Sequence, residues 1–398
     1  MKQSEVFSGS FTQQEPIPEA GIEAALAVLK HGRLHRYNVA PGETAETAQL
    51  EQEFAAYNGS KYCLAVASGG YAMGSALRAV GVQPGDKVLT NAFTLAPVPG
   101  AIAAVNAVPV FVEATEDLVI DLHDLSTKIA SSGAKVLLLS HMRGHICDMD
   151  ALMLLCNANG VRVIEDCAHT MGATWDGRKS GTFGVAGCYS TQTYKHMNSG
   201  EGGLIVTDNP ELMARMVMLS GSYMLFDRHL AAPAPDQFAE IKYQTPNVSG
   251  RMDNLRAAIL RPQLADLDQQ CARWNDRYRV VESGLRNLPG LKLIERPEKE
   301  GFVASSFQFL LPQASVTDVQ SFLTACAKRG VELKWFGGAE PTGFTSRHDS
   351  WRYAPRQDLP QTDRVLAGLI DMRLPLTFSL EDCAQIARII ADEVRKIG

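Results

Sequence analysis

The chain has 398 residues, of which 45% are hydrophobic and 21% charged, and its formal net charge is −6. That is enough apolar sequence for two cores, while the acidic balance offers no basic field to follow a nucleic-acid backbone or hold a membrane surface. The eight cysteines form no CxxC pair and sit mostly in apolar runs such as VIEDCAH and ALMLLCN, so they read as reduced, buried thiols, and no metal is expected.

The opening MKQSEVFSGSFTQQEP has no apolar stretch of the kind a secretory leader needs, which fits a cytoplasmic protein. From about residue 60 to 207, short β-branched runs alternate with helical patterns. KYCLAVAS, DKVLTN, VPVFVEA, AKVLLLSH, VRVIEDC, GCYSTQ and GGLIVTD read as strands, and this alternation predicts an α/β layer with a mainly parallel seven-stranded sheet flanked by helices. TLAPVPGAIAAVNAVPVFV approaches the length of a membrane span, but three prolines, Gly100 and Asn106 interrupt it, so it reads as loop, helix and buried strand. Asp148 opens a helix that ends at Asn159-Gly160. After a polar segment from Tyr223 to Thr245, a helical pattern from Met252 to about Arg279 leads into a second region. A domain boundary is expected there, with a large domain over 17–250 and a smaller α+β domain over 251–398.

Three features carry chemistry. VRVIED is apolar until its last two residues, which puts Glu165 and Asp166 at a strand's carboxyl end with side chains on opposite faces, where open α/β sheets bind ligands. A lone Asp at such a place is more often a helix cap or a surface group. Lys195 lies just after another strand, in YSTQTYKHMNSGEGG, among Gly200, Gly202 and Gly203, where backbone can approach closely. In VASGGYAMGSALRAVG a strand ends in Ser68-Gly69-Gly70 and a helix starts at once, so its free N–H groups form a phosphate seat. A seat, a strand-end carboxylate and a strand-end lysine together are what a pyridoxal 5′-phosphate site needs.

With these residues in place the chain resembles the sugar aminotransferase (DegT-type) family of fold type I enzymes that use pyridoxal 5′-phosphate. The likeness runs from about Ile17 onward through LEQEFAAYNGSKYCLAVASGG, VQPGDKVLTNAFTLAPV, AVPVFVEA, EDCAHTMGA, the KxxxxGEGG at Lys195 and GRMDNLRAAIL, and ordered motifs are far more specific than any one alone. The resemblance implies that Lys195 carries the cofactor as a Schiff base and that Asp166 bonds the ring nitrogen. It implies that Phe93 stacks on the ring, that His169 lies beside the ring oxygen, and that Gly69, Gly70, Tyr71 and Ser190 hold the phosphate. It also implies a homodimer with shared active sites, to which Asn247 or Ser249 contributes across the interface. Arg143 stands where the family commonly has an aromatic, and is a candidate anion contact for substrate or else a structural ion pair.

The implied reaction moves an amino group from glutamate or glutamine to a small-molecule ketone, foremost a nucleotide-linked keto-sugar. A cyclitol ketone or keto acid as acceptor, a dehydratase of the kind that replaces the lysine with histidine, and a cofactor-binding regulatory protein are the alternatives.

Overall fold

A computed structural model describes residues 5–397. In chain order the first five strands are β1 (Tyr62–Val66), β2 (Lys87–Asn91), β3 (Val108–Val112), β4 (Val136–Ser140) and β5 (Arg162–Asp166). Two short strands, β6 (Thr174–Trp175) and β7 (Arg178–Lys179), precede β8 (Ala186–Ser190) and β9 (Gly203–Thr207). The seven longer ones are those predicted, and they form one sheet in the order β1-β9-β8-β5-β4-β2-β3. From β8 to β3 the strands are parallel, whereas β9 runs antiparallel to both β8 and β1.

Helices cover both faces, and that is why the strands read as continuous apolar runs. Every residue of β4 is buried, and alternate side chains feed two cores: Leu89, Leu137, Leu139 and Val163 on one face, Val88, Val136, Leu138 and Ile164 on the other. The helix Met149–Ala158 starts as predicted, with the Asp148 side chain accepting from the Ala151 N–H at 3.0 Å, and Gly160 at φ +63° turns the chain into β5.

The second region adds β10 (Lys292–Leu293), β11 (Glu300–Gly301), β12 (Ser306–Leu310), β13 (Lys334–Trp335) and β14 (Leu369–Arg373). β10-β12-β14-β13 form an antiparallel sheet, and β11 joins β6 and β7 in a third. The helical run predicted from Met252 is two helices, Asn254–Ala265 and Leu267–Leu285, meeting at Asp266. Leu264, Leu267, Cys271 and Trp274 pack into the large-sheet core, and Tyr278, Val281 and Leu285 into the small-sheet core. The change of core therefore falls within the second helix, because the first helix is needed to cover the large sheet. Phe7 and Phe11 also join the small-sheet core. No helix of the described residues is long and apolar enough to cross a membrane.

Glu165 shows how the sheet is tied to the loops around the cleft. Fully buried, it accepts from the Gly181, Phe183 and Gly184 N–H groups at 2.7–2.8 Å and pairs with His141 Nε2 at 3.0 Å. Its oxygens are thus committed, although His141, Glu165 and Cys167 bring donor atoms within 4.8 Å of one another. Burial pushes the carboxyl pKa up, but the bonds from His141 and the amides outweigh it and the net shift is downward. Its share of stability is therefore full above the ordinary carboxylate range and is lost as pH falls through the lowered value. Glu165→Gln is expected to destabilise the fold by about 3 kcal/mol at neutral pH, measured by denaturant titration; an unchanged midpoint would show that the 181–184 loop is held by something else.

Candidate active site

Parallel pairing brings the carboxyl ends of β4, β5 and β8 to one level, with Ser140 opposite Asp166 and Asp166 opposite Cys188. Strand alternation sends Glu165 to the loops just described and Asp166 to the cleft. Asp166 is only 6% exposed. It accepts from Ser140 Oγ at 3.0 Å and from the Ala168 N–H at 3.2 Å. Among the described residues no cation lies within ion-pair distance of it, and burial raises its pKa.

Lys195 lies between β8 and β9, with Nζ 2.8 Å from His169 Nε2. Burial and the nearby Arg143 and Arg373 charges lower the amine to about 7, against the opposing pull of Asp166. Burial, then Lys195 and Arg143, also keep His169 well below the ordinary histidine range, so its ring stays neutral.

The helix Gly69–Ala79 points its start at the same cleft, which Gly69, Gly70, Ser190, Asp166 and Lys195 line together. The Ser68 side chain caps this helix by accepting from the Tyr71 N–H at 3.1 Å. The Tyr71 amide is therefore already engaged, and its ring packs over Gly250 while its hydroxyl donates to the Leu219 carbonyl at 2.9 Å. Tyr71 thus supports the seat from behind, and Gly69 and Gly70 line it. A Cβ on Gly69 would lie 3.0 Å from Ser190 Cβ, so glycine is what lets the helix start meet the end of β8.

Other expected residues go elsewhere. Phe93 is 2% exposed and packs edge-on to Phe336, with ring centroids 5.2 Å apart, in a cluster with Met142, Leu310 and Leu369 that joins the two regions. It does not line the cleft; Leu95 does. The chain leaves the sheet after β2, so strand alternation no longer says which side chain faces the ligand. Asn247 and Ser249 lie on an exposed loop, where Asn247 Oδ1 accepts from the Ser249 N–H at 3.0 Å and from its hydroxyl at 3.1 Å. Neither lines the cleft of its own chain. Arg143, at φ +56°, does reach the cleft wall, where its guanidinium is paired with Asp371 at 2.8 Å. Sequence reasoning missed Leu95, Ser140 and Arg373; Ser140 could have been found as the last residue of the strand predicted beside VRVIED.

A molecule with a phosphate at one end and a basic ring nitrogen at the other meets both its needs here. Free helix-start amides and the Ser190 hydroxyl suit the first, and a buried carboxylate without a cation suits the second. These residues fit pyridoxal 5′-phosphate.

The sequence profile of the DegT/DnrJ/EryC1/StrS aminotransferase family matches residues 18–391. The dTDP-3-amino-3,4,6-trideoxy-alpha-D-glucose transaminase of Streptomyces venezuelae is 34% identical over 69% of this chain and 68% of its own length. An L-glutamine:2-deoxy-scyllo-inosose aminotransferase of Streptoalloteichus tenebrarius is 33% identical over 65% of this chain and 61% of its own length, so the chain matches less than two thirds of that relative. The fold is also that of the PLP-form of a putative sugar aminotransferase, Spr1654, from Streptococcus pneumoniae, with a TM-score of 0.81 and 19% identity over 97% of this chain and 98% of that one.

The two positions after β2 can be told apart. Phe93→Ala is expected to cost about 3 kcal/mol of stability, as a large buried ring is lost, and to leave cofactor affinity within a few-fold. Leu95→Ala is expected to do the reverse, weakening retention of the cofactor with little change in thermal midpoint. Equal effects on cofactor absorbance from both variants would contradict this division.

Proposed function

Because the chain belongs to the DegT/DnrJ/EryC1/StrS aminotransferase family, whose members include sugar and cyclitol aminotransferases, we propose that it moves an amino group from glutamate or glutamine to a ring ketone, foremost a nucleotide-linked keto-sugar. In this reading pyridoxal 5′-phosphate is held by Lys195, Asp166 and the Gly69-Gly70 helix start. The observation that carries the reading is the shared cleft of a near-neutral lysine, a buried carboxylate without a cation and an open helix N-terminus.

The bound cofactor supplies an electron sink for the pair left behind when a proton leaves the carbon bearing the amine. The residues do the rest. Asp166, anchored by Ser140 and the Ala168 amide, keeps a proton on the ring nitrogen. The Gly69 and Gly70 amides and the Ser190 hydroxyl bind the phosphate and fix the ring's position. Leu95, which lines the cleft, would cover the ring and keep water off it. Lys195, whose amine is largely neutral just above pH 7, serves first as nucleophile and afterwards as the base that takes and returns the proton. His169 steadies that amine at 2.8 Å.

Retention of lysine at position 195 supports transamination over dehydration. His196 beside it is buried edge-on against Trp274, with centroids 5.1 Å apart. A cyclitol ketone is the second acceptor, favoured by the 33% identity to the scyllo-inosose aminotransferase. We also infer a cytoplasmic homodimer. The exposed Tyr223, Met224, Tyr243 and Val248 near Asn247 support a second copy covering that loop, and eight buried, unpaired cysteines suit a reducing compartment.

Lys195→Ala is expected to keep the fold, by circular dichroism, and to lose all amino transfer from glutamate to any ketone. Full turnover in that variant would remove the basis of the reading. Because burial lowers the amine to about 7, capture of the aldehyde cofactor by cofactor-free protein should accelerate as pH rises through neutrality and level off above it, in stopped-flow absorbance. A rate still climbing steeply to pH 9 and beyond, as for an ordinary lysine, would contradict this.

A further inference from the structure

Away from Asp166, the space beside Lys195 continues into a pocket between the two sheets, walled by Gln14, Arg143, Tyr194, Phe344 and Arg373. Two guanidiniums reach it, both within about 5 Å of the Phe344 ring, and they are not equivalent. Arg143, in the loop after β4, is paired with Asp371, whose other oxygen accepts from Gln308 Nε2 at 2.7 Å. All three side chains are buried, so the Arg143 charge is matched where it stands.

Arg373 ends β14 two residues after Asp371, on the same face of that strand. Its guanidinium carbon lies 3.7 Å from the centroid of the Tyr194 ring and 5.0 Å from that of Phe344. Aromatic faces hold the plane of the group but take up none of the N–H donors along its edge. Among the described residues Arg373 has no ion pair and its side chain donates no hydrogen bond. Arg277, similarly half-buried, instead gives its N–H groups to the Leu376 and Phe378 carbonyls. A half-buried cation whose donors have no protein partner, open to a pocket it shares with a lysine and a second arginine, is placed to receive an anion.

We propose that Arg373 is the carboxylate grip of this active site, binding a substrate carboxylate edge-on while the Arg143–Asp371 pair forms the wall behind it. The inference rests on the aminotransferase reading and adds the chemistry that orients the substrate. A planar fork lying over the Tyr194 ring suits a planar carboxylate held by two parallel N–H···O bonds. Arg373 and Lys195 line the same pocket, so a carboxylate held by one sets an amine or ketone close to the carbon that bears it before the other. The carboxylate belongs either to the amino acid donor or to an acid-bearing acceptor.

The test uses Arg373→Gln and the charge-preserving Arg373→Lys, each confirmed folded by circular dichroism. Glutarate, which has two carboxylates and no amine, is titrated calorimetrically into the purified protein. Binding is expected in the wild type, weakened on the order of tenfold to a hundredfold by Arg373→Gln and less by Arg373→Lys. The half-reaction with L-glutamate, followed by cofactor absorbance, and the reverse half-reaction with ketones bearing or lacking a carboxylate then separate the sources. A raised KM with kcat within a few-fold for glutamate alone assigns the grip to the donor. The same change for acid-bearing ketones alone assigns it to the acceptor, and both together assign it to a shared subsite. Wild-type protein that ignores glutarate, or Arg373→Gln with unaltered glutarate affinity and unaltered KM in both half-reactions, overturns the proposal. Failure of the wild type to take up cofactor would instead overturn the aminotransferase reading, and the glutarate titration would still report on Arg373.

Discussion

Lys195 and Asp166 line one cleft in which both are largely withdrawn from bulk water. Desolvation disfavours both charged forms, so Lys195 is drawn down to about 7 and Asp166 is drawn up. That opposition is the constraint on which the rest of the molecule depends, since it makes the amine reactive at neutral pH and leaves the carboxylate in want of a cationic partner. The sheet imposes it. Parallel β4, β5 and β8 end at one level, helices bury both faces, and the connection from β8 to β9 carries the lysine past the strand ends.

Holding that geometry requires the second region. Phe93 and Met142, from loops at the carboxyl edge of the large sheet, pack with Leu310, Phe336 and Leu369 of the smaller one, and Arg143 is tied to Asp371 on β14. The left-handed backbone of Arg143 costs roughly 1 kcal/mol, and the pair with Asp371 fixes where its guanidinium lies. These contacts bring Arg373 over the space in front of Lys195, so the small sheet both braces the cleft and supplies one of its walls.

The sequence made the large sheet readable because strands buried on both faces are written as unbroken apolar runs, and each of the seven is bounded by glycine, proline or a capping residue. Asp166 and the Gly69-Gly70 turn were readable for a related reason: each marks the point where a strand stops. Contributions that depend on long-range packing were not. Nothing in NAFTL says that Phe93 turns to the second region and Leu95 to the cleft, because the cluster that takes Phe93 up, Phe336 included, lies far along the chain. The Tyr71 amide was assigned to a phosphate, yet the Ser68 side chain reaches it first. Arg373 had no local signal at all, since an arginine at a strand end is ordinary until its neighbours show that it lacks a counter-charge.

The central claim is a covalent one, and chemistry can fix its position directly. Holoenzyme reduced with borohydride, digested and mapped by mass spectrometry should carry the phosphopyridoxyl group on the peptide containing Lys195, with the modified residue at that position. A label on any other lysine, or reduced protein with no label, would contradict the account.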